Sequence, residues 1–143
     1  MKQMIYSAIR TRPEQLAVGG YKGFNYYVLS MGTHPCAYID VTDTDLNGKD
    51  LCVIDLECHG GITYAEKSLQ TVDKKGWFIG WDYAHYGDYT GDQMMFPEDM
   101  QMGGREWKTE EIVSECKAVI DKILNNEFEI LWGGITEWQI MKL

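Results

Sequence analysis

Apolar positions between Thr109 and Leu124 recur at helical spacing: Ile112, Val113, Cys116, Val119, Ile120, Ile123 and Leu124 fall on one face. The opposite face is charged, so the segment predicts a helix with one buried stripe. Thr109 is placed to cap its start, Glu110 and Glu111 suit the positive end of the macrodipole, and Asn125-Asn126 tolerate a left-handed exit. Burying such a stripe contributes on the order of 10 kcal/mol gross, before the entropy cost of ordering it. The helix therefore needs a partner surface.

The segments before it are rich in aromatic and β-branched residues bounded by Gly, Asp and Asn, which predicts strands over Asn25 to Met31, Cys36 to Val41, Leu51 to Glu57, Ile62 to Glu66 and Trp77 to Asp82. Their connections are too short for crossover helices, so antiparallel pairing is expected. Phe128 to Trp132 reads as a further strand, with Ile135 to Met141 as a tail after Gly133-Gly134. Met94 to Trp107 is the longest irregular segment; its methionines, Met94, Met95, Met100 and Met102, suit either core plugs or an adaptable surface for a partner or a second copy. No repeat, low-complexity tract or linker divides the chain, so residues 1–143 read as one domain. The expected fold class is α+β, an antiparallel sheet with the long amphipathic helix packed on one face.

The 143 residues are 45% hydrophobic, 13% aromatic and 24% charged, the make-up of a folded globule. The net charge of −9 argues against non-specific nucleic-acid binding and against an anionic membrane surface, since both need clustered Lys and Arg. No apolar run approaches the ~20 residues of a membrane span, and the first residues lack a signal peptide's apolar core, so a cytoplasmic protein is expected. The cysteines Cys36, Cys52, Cys58 and Cys116 form no C-x-x-C pair and read as reduced thiols, a Cys52 to Cys58 disulfide requiring a tight hairpin.

Two segments concentrate functional residue types. Asp55 to Tyr64 ends a strand at His59 and the pair Gly60-Gly61, whose freedom at positive φ would let a ligand oxygen approach backbone N–H groups. Trp77 to Tyr89 carries Asp82, His85 and Asp88 onto an aromatic loop. The motifs H-G-G-[IL]-T-Y at His59 to Tyr64 and W-[FW]-x-G-x-D-x-x-H-x-G-D at Trp77 to Asp88 resemble those of a family of small, mostly uncharacterised bacteriophage and prophage proteins. Gly20 to Gly23, Gly32 to Pro35 and Gly48 to Asp50 fit the same resemblance, which covers Tyr21 to Asp88. It implies a phage context and brings no activity to any of these residues.

Three chemistries fit the two segments. Imidazole with carboxylate, from His59, His85, Glu57, Asp82 and Asp88, suits a metal-dependent or metal-free hydrolase acting on a nucleotide or phosphoester, although the spacing matches no standard metal motif. Alternatively Asp82 and Asp88 cap turns and His85 fixes the loop. The third is a ligand pocket without turnover, built from His59, Gly60, Gly61, Tyr64, Trp81, Asp82 and Tyr86, with aromatic faces for a base. Its anion contact would come from Arg105 rather than Arg10 or Arg12, the remaining arginines. Strand alternation splits these rings between two faces, so only some can share a pocket.

Asp43-Thr44-Asp45-Leu46-Asn47-Gly48 imitates the first half of a calcium loop, but the twelfth position is Ile54 rather than Glu, and a hairpin turn explains it better. The leading expectation is a phage or prophage counter-defence protein that sequesters a small nucleotide signal as a homo-oligomer, without a cofactor. The hydrolase is the first alternative, and an acidic inhibitor of a host nucleic-acid-binding protein is the second.

Overall fold

The structure, a computed structural model, describes residues 14–30, 32, 34–84, 106–132 and 135–136. Strand β1 (Glu14–Tyr21) turns through Lys22 and Gly23 into β2 (Phe24–Ser30). Both turn residues have positive φ, 49° and 88°, which gives this two-residue connection the twist that antiparallel strands require. Strand β3 (Pro35–Asp40) pairs with β2 and with β6 (Phe78–Asp82), and β5 (Tyr64–Glu66) closes the far edge. The order is β1-β2-β3-β6-β5, antiparallel throughout.

A second small sheet has the order β4-β7-β8, formed by β4 (Ile54–Asp55), β7 (Glu129–Trp132) and β8 (Ile135–Thr136). Helix α1 (Thr109–Leu124) packs against β1, β2 and β3. The α+β class and the face-packed helix are as the sequence predicts.

Residues Ile112, Cys116, Val119, Ile120 and Ile123 of α1 are buried, the stripe expected from the periodicity. They meet cross-strand rows whose register is Tyr26–Ile39–Ile79–Ala65 and Val28–Ala37–Trp81. Alternation sends the intervening residues to the other face, in the rows Tyr27–Tyr38–Gly80–Tyr64 and Leu29–Cys36–Asp82. That face has its own apolar cluster of Tyr27, Leu29, Cys36, Tyr38, Phe78 and Leu69.

The helix ends follow local chemistry. Lys108, not Thr109, holds the N-cap position, and the Glu111 carboxylate accepts the Lys108 N–H at 3.1 Å. Thr109 already lies inside the helix, where its side chain is one residue too late to cap. At the other end Asn126 takes the left-handed conformation (φ 57°). Glu127 N–H then donates to Lys122 C=O, and Asn126 N–H to Ile123 C=O, which satisfies two carbonyls of the last turn.

Three sequence expectations change. Strand β1 was not expected, because Glu14–Tyr21 has little alternation and two glycines; pairing with β2 makes it a strand. Leu51 to Glu57 is not one strand but a 3-10 turn (Leu51–Val53) followed by the two residues of β4, with Leu51 and Cys52 exposed. The Asp43 to Gly48 segment is not a hairpin turn, since β3 pairs with β2 and β6 whereas β4 pairs with β7. It is a run of tight turns between two sheets, pinned by the fully buried Leu46. All four cysteines are free thiols, Cys36 and Cys116 buried and Cys52 exposed. No helix among the described residues is long and apolar enough to cross a membrane.

Candidate functional site

Register divides the expected site between the two faces of the five-stranded sheet. On the helix side, His59 stacks on Tyr83 with centroids 4.4 Å apart and planes 13° from parallel, and Trp107 meets it edge-on at 4.9 Å. Glu115 of α1 anchors this group, accepting the His59 backbone N–H at 2.6 Å and the Tyr83 hydroxyl at 3.2 Å. The Trp81 indole N–H donates to the Tyr83 oxygen at 3.1 Å. Lys122 donates to Glu57 C=O at 3.1 Å and ties the same turn to the helix.

Trp81 is 1% exposed and Tyr83 fully buried, so neither ring offers a free stacking face. Burial, assisted by the nearby Glu115 carboxylate, pushes the Tyr83 hydroxyl above its ordinary range. Gly60 and Gly61 do adopt positive φ, 72° and 83°. The Gly61 N–H, however, donates to Cys58 C=O at 3.0 Å, so that amide closes the turn instead of facing a ligand.

On the opposite side, a pocket of about 310 Å³ is lined by His34, Cys36, Tyr38, Thr63, Tyr64, Trp81 and Asp82. Gly80 occupies the position between Tyr38 and Tyr64 in their cross-strand row. A Cβ at Gly80 would run into the Tyr38 ring and come within 2.6 Å of the Ala37 carbonyl oxygen. Without it the two tyrosine rings meet edge-to-face at 5.1 Å. The Tyr64 hydroxyl is held by Ser68 C=O.

Asp82 lines the pocket and accepts from the Thr63 hydroxyl and from Ala84 N–H, each at 3.3 Å. The second bond is the turn-capping role that the sequence allowed. Burial pushes the Cys36 thiol up to about 12, despite a hydrogen bond with Tyr38. Burial likewise raises the Tyr38 hydroxyl.

Of the residues singled out from the sequence, Tyr64, Trp81 and Asp82 line this pocket, and His59 lies across the sheet from Asp82. His85, Tyr86, Asp88 and Arg105 lie outside the described residues, as do Arg10 and Arg12 and the methionines of Met94 to Met102. Sequence reasoning passed over His34, Cys36, Tyr38, Thr63 and Gly80. The first three alternate along His34-Pro35-Cys36-Ala37-Tyr38, a spacing that places them on one face; that Asp82 would lie opposite Cys36 needed the register.

No family model, curated protein or solved structure matches this chain.

A larger cleft, about 480 Å³, opens at the C-terminal end of α1 and is lined by Phe24, Phe128 and Leu124 together with Asp40, Asp43, Asp45 and Lys74. Asp40 is buried, with its side chain 6% exposed, and is paired to Lys74 at 2.7 Å. Burial opposes its ionisation, but hydrogen bonds from Lys74 and Thr42 outweigh that and hold the carboxyl below its usual range. Among the described residues no three His, Cys, Asp or Glu side chains converge as a metal site.

Proposed function

We propose that this protein binds and sequesters a small nucleotide ligand without turning it over, as a phage or prophage counter-defence protein. The ligand's heterocycle enters the pocket of Tyr38, Tyr64 and Asp82. What carries this reading is Asp82, a positioned carboxylate lining an aromatic-walled pocket about the size of a nucleobase. A carboxylate there accepts from a base amine or a ribose hydroxyl, and the half-buried Tyr64 supplies an apolar face. No Lys or Arg is among the lining residues, so the phosphates point outward to solvent.

Binding is favoured over hydrolysis for two reasons. The pocket's thiol is held protonated by burial, which removes it as a nucleophile. A hydrolase built on His59 and Asp82 together needs both on one substrate, and they stand on opposite faces of the sheet. The counter-defence role rests on the motif resemblance to phage proteins.

Native mass spectrometry of the full chain, incubated with a panel of nucleosides, nucleoside monophosphates and cyclic dinucleotides, tests the reading. An intact ligand retained by the wild type and lost in Asp82→Ala is expected. A product mass instead of the ligand mass would overturn sequestration, and retention unchanged in Asp82→Ala would move the site elsewhere.

A further inference from the structure

The hydrogen-bond donors around the pocket of Tyr38, Tyr64 and Asp82 are largely used within the protein. The Thr63 hydroxyl donates to Asp82, and the Thr63 backbone N–H donates to Gly80 C=O at 2.9 Å. The Tyr64 hydroxyl donates to Ser68 C=O, the Trp81 indole N–H donates to the Tyr83 oxygen, and the Tyr38 hydroxyl is bonded to Cys36. His34 apart, every hydroxyl and indole N–H on the lining is thus engaged. The Asp82 carboxylate, when ionised, accepts through two oxygens and donates through neither. A ligand therefore meets an acceptor and must bring the donors.

We infer, on the reading of this pocket as a nucleotide site, that the base it takes is guanine, with N1–H and the 2-amino group donating to the two oxygens of Asp82. Guanine alone among the common bases presents two neighbouring donors on its pairing edge. Adenine and cytosine set a ring acceptor beside their amine, and uracil flanks its one N–H with two carbonyls, so each turns an acceptor toward the carboxylate. An acceptor facing an acceptor loses the bond and leaves both groups desolvated. The carboxylate is oriented for a two-point contact: Thr63 bonds Oδ2 and Ala84 N–H bonds Oδ1, and a carboxylate oxygen accepts more than one bond. The walls fit as well. About 310 Å³ admits a bicyclic base, and Tyr64, half-buried and fixed through its hydroxyl and its edge-to-face contact with Tyr38, offers it an apolar face.

Isothermal titration calorimetry of the full chain with guanosine, inosine and adenosine monophosphates tests this. The guanine nucleotide is expected to bind tightest. Inosine monophosphate, which lacks the 2-amino group, should bind about tenfold more weakly, the loss of one hydrogen bond to a charged acceptor, and adenosine monophosphate more weakly still. Asp82→Asn should bring the guanine nucleotide down to the inosine level. The comparison of the three nucleotides on the wild type stands even if Asp82→Asn fails to fold. Equal binding of the adenine and guanine nucleotides, both weakened by Asp82→Asn, would overturn the guanine assignment and leave the nucleotide pocket in place. A guanine preference unchanged in Asp82→Asn would overturn the contact with Asp82, and no binding by any of the three would overturn the assignment together with the nucleotide pocket.

Discussion

On the helix side of the five-stranded sheet the cross-strand rows are Tyr26–Ile39–Ile79–Ala65 and Val28–Ala37–Trp81, closed over by the aliphatic stripe of α1. On the other side the rows are Tyr27–Tyr38–Gly80–Tyr64 and Leu29–Cys36–Asp82, smaller in apolar content and interrupted by a glycine and a carboxylate. The same five strands thus present a packed face and a face with a cavity. The helix covers the first, whereas on the second the Tyr38 ring lies over Gly80 and a pocket remains between Tyr38, Tyr64 and Asp82. The helix-side face carries the larger buried cluster, and the other carries a smaller one beside the pocket.

The sharpest way to break that division is a cavity on each face. Ile120→Ala, at a fully buried position under the sheet, is expected to cost about 2–5 kcal/mol in urea unfolding, at the upper part of that range. Leu29→Ala on the pocket face should fall at the lower part, because the neighbouring cavity lets the site relax. Equal losses would erase the distinction.

Alkaline pH tests the two faces together. Burial pushes the Cys36 thiol on one face and the Cys116 thiol on the other up to about 12. In the unfolded chain a thiol ionises near ~8.5, so above that pH the unfolded state releases protons that the folded state keeps. Stability therefore falls as pH rises, by about 1.4 kcal/mol per pH unit for each thiol until the folded values are reached. Burial raises the Cys58 thiol, packed against the helix-side cluster, to about 12 as well; unfolding curves at pH 8 and 9.5 measure the slope, and Cys116→Ala should remove one thiol's share of it.

Glu115→Gln replaces the acceptor shared by His59 and Tyr83 with an amide that offers one oxygen to two donors. A loss of about 1–3 kcal/mol in thermal or urea unfolding is expected. Asp82→Asn is the smallest: both its bonds are long and an amide oxygen still accepts, so stability should stay within about 0.5 kcal/mol while ligand retention falls. A large stability loss there would turn Asp82 from a recognition group into a structural one.

Legibility followed the range of the interactions. The limits of α1, its buried stripe and its exit at Asn126 were readable because helix periodicity and capping act within a few residues. Strands β2, β3 and β6 were readable from runs of aromatic and β-branched residues. Strand β1 was not, because Leu16, Ala17 and Val18 between Gln15 and two glycines show no alternation to read. Positive φ at Gly60 and Gly61 was readable as well, but the use of Gly61 N–H by Cys58 was not.

The candidate site divides along the same line. His59, Tyr64, Trp81 and Asp82 stood out by residue type and motif, and alternation alone said that Trp81 and Asp82 point to opposite faces. Which of them share a pocket depended on register. The pairing of Cys36 with Asp82, and of Tyr38 with Gly80, joins residues more than forty positions apart. By itself the sequence determined the fold class, the helix and the supply of chemical groups, because those rest on local periodicity and composition. Only the tertiary structure decided that His59 belongs to the helix-side anchor of Glu115 while Asp82 opens on the other face, because strand pairing is non-local and a shift of one residue would have exchanged the two faces.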